Sequence, residues 1–251
     1  MVRGQYMAGT GMLLQRRLME NITHNITNAD TTGYKKQYVV SHTFDDVMIQ
    51  RINDTHVLRQ TRIVGPMTLG TQIDQLYVDF TTGSVDGTER NTDLCLVGDA
   101  FFVVGTPGGE RYTRCGAFYI DDLGYLVDGE GNYLLGENGN INVGGPNFVV
   151  DDLGNITING EQIDRIRVAS FEDNGRLRKQ GSNLYETLDP PEAATKQYRM
   201  MQGYLETSNV DIGREMVDML TIYRTYETNQ RMLSMIDEIV GKAVNDIGRL
   251  R

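Results

Sequence analysis

The 251-residue sequence has no tryptophan, only two cysteines (Cys95 and Cys115), three histidines and five prolines. Two cysteines exclude a disulfide framework and a four-cysteine zinc site. Three scattered histidines leave little from which to build a metal centre or a catalytic triad. No apolar run approaches the roughly 20 residues that cross a bilayer as a helix. Positive charge is also in short supply. Lys and Arg number 24 against 34 Asp and Glu, for a net charge of −10, so binding of nucleic acid through a basic face is not expected. A mean hydropathy of −0.37 predicts a soluble chain, and its length suits one or two domains. Arg16 and Arg17 interrupt the only segment placed to act as a leader, and no small-residue cleavage site follows. The expectation is a chain without a cleaved secretory signal.

What is present is strongly zoned. Sixteen of the 28 glycines lie between Gly83 and Gly160, and ten of the 12 methionines lie in Met1–Met19 or Met200–Met235. Glycine breaks helices and methionine fits in them, so the two ends read as helical and the middle as strands and turns. The N-terminal segment carries a heptad, with Met7, Gly11, Leu14, Leu18, Asn21, Asn25 and Asn28 on one stripe. The C-terminal segment carries another, through Ile212, Met216, Met219, Tyr223, Tyr226, Gln230 and Leu233, on a helix expected to run to about residue 247. Two heptads flanking a strand-rich middle predict that the termini pair as an antiparallel coiled coil. Gly33 is expected to end the first helix in the left-handed conformation. The amides of Asn21, Asn25 and Asn28 are costly to bury unless paired, and their best-attested use is to fix register. A fraying end that leaves them in water is the competing reading.

In the middle, Val78–Phe80, Leu94–Val97, Phe101–Val104, Phe118–Ile120, Phe148–Val150 and Ile166–Phe171 read as short strands between turn residues. A spacing of 30 residues repeats one pattern: the stretch from Phe118 to Gly124 echoes the stretch from Phe148 to Gly154. Each copy predicts a strand, a glycine turn and a second strand. Asp189-Pro190-Pro191 marks a break before the final helical zone. The fold class is therefore α+β: paired, coiled-coil-like N- and C-terminal long helices with a central all-β domain. The expected parts are an N-terminal helix (1–34), an extended subunit-contact linker (35–82), a β domain (83–190) and a C-terminal helix (191–251).

No stretch supplies an enzyme's constellation. Asp128, Glu130 and Asn132 alternate with glycines but miss the spacing of a calcium loop, so a plain turn is expected. Ser41-His42 lacks a nucleophile elbow, and Gly136–Gly145 lacks the lysine and helix of a phosphate loop. Cys95 and Cys115 default to structural thiols, with a disulfide or redox role as the alternative. Catalytic, cofactor and metal sites are all expected to be absent, and no small-molecule substrate is implied.

Three ordered stretches resemble the bacterial flagellar basal-body rod and hook family. The first is Asn25-Ile26-Thr27-Asn28-Ala29-Asp30-Thr31-Thr32-Gly33-Tyr34-Lys35. The second runs from Asp93 through Gly98, Phe101 and Phe102 to Val104, followed by Tyr112-Thr113-Arg114-Cys115-Gly116-Ala117-Phe118. The third is Gly203-Tyr204-Leu205-Glu206-Thr207-Ser208-Asn209-Val210-Asp211, with Glu215-Met216-Val217 and then Arg224-Thr225-Tyr226-Glu227-Thr228-Asn229 beyond it. Together they span essentially the whole chain. The likeness is greatest to the distal rod proteins, of FlgG or FlgF type, and the motifs suit both. Thr27 and Thr225 stand where the family usually has alanine, Ala100 where it often has glycine, and Cys95 and Cys115 where it has small or polar residues.

The resemblance implies a structural subunit that assembles into a helical tube and passes motor torque to the hook. It implies copies of itself, other rod and hook subunits, the flagellar export apparatus and the bushing rings as partners. It also implies a place in the basal body, reached by type III export. On that reading Met7, Leu14, Leu18, Met216, Met219, Tyr223, Tyr226 and Leu233 form the assembly seam, and Asn21, Asn25 and Asn28 fix register. A phage-tail-like fibre subunit would share the heptads without the motifs. A cell-wall-acting enzyme would need a carboxylate pair in a cleft.

Overall fold

A computed structural model describes residues 2–51, 62–181, 183–187, 192–193 and 198–248. The expected break at Asp189-Pro190-Pro191 lies outside them. The chain divides into two compact units. One comprises residues 1–26, 37–77 and 212–251, and the other residues 27–36 and 78–211.

The first unit holds two helices, α1 (Val2–Thr27) and α2 (Ile212–Gly248). It also holds two two-stranded sheets, one pairing Gln37–Thr43 with Thr71–Val78 and the other Val47–Arg51 with Arg62–Met67. An α+β class fits. The coiled-coil pairing of the two helices does not. They meet at isolated contacts that are mostly polar or at glycine. Gln5 Nε2 donates to Asp237 Oδ1 (2.6 Å) and Asn25 Nδ2 to Glu215 Oε2 (3.2 Å). A Cβ on Gly4 would stand 3.1 Å from Ile236, and one on Gly11 3.1 Å from Asn229. Knobs-into-holes packing needs large apolar side chains at such points, and glycine offers none. Met7, Met216 and Tyr223, expected in the seam, are 38%, 52% and 51% exposed. The less exposed stripe of α2 instead runs through Glu215, Met219, Ile222, Tyr226, Asn229 and Leu233, rotated from the predicted one. Glu215 is buried where it meets the Asn25 amide. A buried carboxylate must be paired, and the Asn25 amide supplies one of its contacts.

The second unit is β. Its ten-stranded sheet runs in the order Arg178–Gln180, Leu184–Glu186, Gly109–Thr113, Phe101–Thr106, Tyr133–Gly136, Leu126–Val127 and Tyr119–Ile120, with three short strands off that path. A three-stranded sheet joins Val149–Val150, Asn155–Ile158 and Glu161–Arg165, and Leu94–Val97 pairs with Arg199–Gln202. Alternation along Phe101–Thr106 supplies two cores, as the period of a strand requires. Phe102 and Val104 enter one with Leu94, Phe118, Leu126 and Leu134. Phe101 and Val103 enter the other with Tyr112, Phe171 and Tyr185. Phe80, expected on a strand, lies beyond the strand end at Val78 and packs edge-on against Phe101 and Tyr185.

The 30-residue echo is a repeated turn, and the stretch 128–132 is a third copy. Asp121, Asp128 and Asp151 each accept, through Oδ1, the N–H groups two and four residues on, at 2.7–3.0 Å. Gly124, Gly131 and Gly154 then take φ of 87°, 85° and 87°. A short acceptor side chain and a left-handed glycine are what such a turn demands.

Candidate functional site

The β unit's most unusual feature is a cluster of charges inside it. Lys35, Arg114 and Glu206 are each at most 2% exposed. Lys35 reaches the site on the segment that follows α1 in the chain, Arg114 just after the strand Gly109–Thr113, and Glu206 at the end of the strand Tyr204–Glu206. Lys35 Nζ lies 2.6 Å from Glu206 Oε1 and donates to the Thr81 carbonyl at 2.7 Å. The Gly83 N–H donates to the same Oε1 at 3.0 Å. Arg114 Nη1 lies 3.7 Å from Glu206 Oε2. Its guanidinium also donates to the carbonyls of Leu96 (3.3 Å) and Gly98 (2.6 Å) and stacks 4.8 Å from the Phe101 ring centre.

Burial pushes the Lys35 ammonium down from its ordinary pKa, and the Glu206 carboxylate opposes that shift. Burial lowers Arg114 as well, again against Glu206. One carboxylate thus serves two enclosed cations. Such a group is occupied with holding the chain together, because freeing any member would strand a buried charge.

The surrounding contacts bind the same three segments. The Gly33 N–H donates to the Glu206 carbonyl at 2.7 Å. Gly33 takes φ of 66°, and a Cβ there would stand 2.5 Å from the Arg114 carbonyl. Its left-handed conformation was expected to stop α1. That helix ends earlier, at Thr27, and the glycine serves a close passage of backbone on backbone. The Lys36 N–H donates to Asn209 Oδ1 (2.7 Å), whose amide donates in turn to the carbonyls of Asp79 and Thr81. Thr32 Oγ1 lies 3.3 Å from Cys115 Sγ, and the Thr32 carbonyl accepts from Asn183.

Two family models match this chain: the flagellar hook protein FlgE/F/G D1 domain over residues 95–168, and the flagellar basal body rod FlgEFG protein C-terminal region over residues 201–246. The flagellar hook-basal body complex protein FlhO of Bacillus subtilis is 30% identical over 270 residues, with both chains covered completely. The basal-body rod protein FlgG of the same organism is 31% identical over 274 residues, covering 98% of this chain and 99% of its own. FlgF of Caulobacter vibrioides is 28% identical over 250 residues and 98% of each chain. The chain belongs to the flagellar basal-body rod and hook family.

The three stretches that resemble the flagellar rod and hook family therefore converge on one place. Thr32, Gly33, Gly98, Phe101, Arg114 and Asn209 all touch the cluster or its immediate shell. Thr113 lies beside it, accepting the Cys115 N–H (3.0 Å) and donating to the Asn183 carbonyl. Phe102 and Tyr112 belong to the two cores. Gly203 turns with φ of 80° and donates to the Asp93 carbonyl, Tyr204 is 39% exposed and Val210 is half-buried. Lys35 and Glu206 lie inside the recognised stretches, yet heptad and motif reasoning did not single them out. The available signal was a full charge in each of two otherwise turn-like or apolar segments.

Of the seam residues, Leu14, Leu18, Met219, Tyr226 and Leu233 are half-buried, and Met7, Met216 and Tyr223 are exposed. Asn21 and Asn25 are buried and act within the chain. Both amides donate to the Gln37 carbonyl (2.7 and 2.9 Å), and Asn25 Oδ1 accepts the Gln37 N–H. Asn28 contacts Thr31. Asn21 and Asn25 thus tie α1 to the strand that begins at Gln37.

Proposed function

We propose that this chain is a structural subunit of the flagellar basal-body rod, built with copies of itself and with other rod and hook subunits into a helical tube that carries motor torque to the hook. The observation that carries the reading is the full-length likeness to rod proteins. The surface of α2 supports it. Ile212, Met216, Leu220 and Tyr223 recur at helical spacing and are 38–59% exposed. Burying the open half of such side chains against a neighbouring copy contributes about 1 kcal/mol each, and non-closing contacts of that kind extend a filament. Leu14, Leu18, Met219, Tyr226 and Leu233 lie partly open beside them and join the assembly seam. Passage through the flagellar type III channel and contact with the bushing rings belong to the same proposal, on the strength of the family resemblance.

The experiment replaces Leu18 or Met219 by Asp in the flagellated parent organism. The expected result is loss of rod assembly and swimming while the β unit of the purified full-length variant keeps its melting behaviour. Normal rods and motility in both variants would rule out the seam.

A further inference from the structure

Cys95 and Cys115 stand as free thiols, the first buried and the second half-buried. The strand Leu94–Val97 pairs with Arg199–Gln202 along one edge. Its other edge meets the stretch beyond Thr113. There Asp93 forms an antiparallel bridge with Ala117, and the Leu94 N–H donates to the Gly116 carbonyl at 2.9 Å. The approach is so close that a Cβ on Gly116 would stand 1.6 Å from the Leu94 carbonyl oxygen.

Continuing that register by one residue sets Cys95 opposite Cys115. Like Asp93 and Ala117, they fall at a non-hydrogen-bonded position, where Cα atoms in a regular pair lie about 4.5 Å apart and side chains are nearest. A disulfide spans Cα separations of about 4.4–6.8 Å. The next carbonyl along, that of Leu96, receives the Arg114 guanidinium, so the cysteines sit where the two stretches begin to part and can adjust. Both thiols also neighbour the charge cluster. Cys95 senses Glu206, Arg114 and Lys35, and Cys115 Sγ touches Thr32 Oγ1.

We propose that Cys95 and Cys115 close into an intramolecular disulfide when the folded chain meets a disulfide oxidant, stapling the strand Leu94–Val97 to the stretch that carries Arg114. The pairing rests on the β unit's geometry alone. The rod reading supplies only the setting, since an exported chain leaves the reducing cytoplasm. The more accessible Cys115 starts the exchange. Its thiolate displaces one half of the oxidant RS–SR, giving a mixed disulfide and RS⁻. The Cys95 sulfur then displaces the second RS group from Cys115, and its proton passes to the departing thiolate. Two thiols are oxidised, and one external disulfide is reduced to two RSH. Burial, with Glu206 adding to it, pushes the Cys95 thiol up to about 11, so the second exchange is the slow one and speeds up as pH rises.

The test incubates the purified full-length chain with glutathione disulfide at mildly alkaline pH. Free thiols are then counted after denaturation, and peptides are mapped without reductant. The expected result is a fall from two thiols to none, a mass loss of two hydrogens, a Cys95 peptide joined to the Cys115 peptide, and a monomeric chain. Thermal unfolding should shift upward by about 5–10 °C and return on reduction. In Cys95→Ala the glutathione should remain on Cys115, and in Cys115→Ala the remaining thiol should react many-fold more slowly. Glutathione retained on Cys115 of the unaltered chain, two surviving thiols, or dimers linked through cysteine would each overturn the proposal. Failure of the rod reading would leave this chemistry unchanged, because it is read on the isolated protein.

Discussion

On α2, Met216, Val217, Leu220 and Tyr223 are more than half exposed, whereas Phe101, Phe102, Leu126 and Leu134 of the β unit show no exposed surface. The same kinds of side chain are treated in opposite ways by two parts of one chain. The β unit completes itself. It has two cores, a network of edge-on aromatic rings and a buried carboxylate paired with two buried cations. In the helical unit asparagine–backbone hydrogen bonds tie α1 to a strand, while one apolar face of α2 remains open. Apolar surface of that extent on a monomer marks an interaction site. One unit is thus stable as folded, and the other is a surface that gains stability when covered.

The contrast can be broken most forcefully at the charge cluster. Glu206→Ala leaves Lys35 and Arg114 buried without their carboxylate, and should cost the β unit about 3–5 kcal/mol in urea unfolding followed by tyrosine fluorescence. A loss below about 1 kcal/mol would mean the cluster is solvated and the β unit looser than described. Gly33→Ala should cost about 2 kcal/mol or more, from its positive φ and the 2.5 Å approach to the Arg114 carbonyl. Gly129→Ala, with nothing within 4 Å, should change stability by less than about 0.5 kcal/mol in the same assay. Leu220→Asp sharpens the other side of the comparison: unfolding of the purified protein should move by less than about 0.5 kcal/mol, while incorporation into rods, scored by basal-body isolation, is lost.

The smallest effect concerns Lys179, whose ammonium lies 4.2 Å from the Tyr34 ring centre and which burial pushes down to about 8. Between about pH 8 and 10.5 the unfolded chain holds this proton more tightly than the folded one. Stability contributed by this residue therefore rises with pH across that window. The difference in unfolding free energy between the parent and Lys179→Met should shift in the parent's favour from pH 8 to 10, and a flat difference would show Lys179 to be solvated.

Much of the architecture is legible in the residues. The zoning of glycine and methionine separates strands from helices, and the echo between Asp121 and Asp151 is a shared turn whose third copy, at Asp128, was readable as a turn but not as a repeat. Heptad spacing reveals that a helix has a face without saying which neighbour fills it. Gly4 and Gly11 lie on the inner side of α1, and Glu215 needs Asn25, so the coiled-coil expectation fails on two local details that periodicity does not weigh. The charge cluster was hidden for a different reason. Lys35, Arg114 and Glu206 are separated by 79 and 92 positions, and a formal charge in a sequence carries no mark of burial. The family stretches contained all three, so similarity pointed to the place while composition could not.

The Asn209 side chain receives the Lys36 N–H and gives its own amide hydrogens to the carbonyls of Asp79 and Thr81, so one residue gathers the β unit's chain close to where its first stretch stops at 36, its second begins at 78 and that one stops at 211. A protein engineer who swapped residues 78–211 alone would carry off Glu206 and leave Lys35 behind without its carboxylate, so the short stretch 27–36 has to travel with any transplanted head.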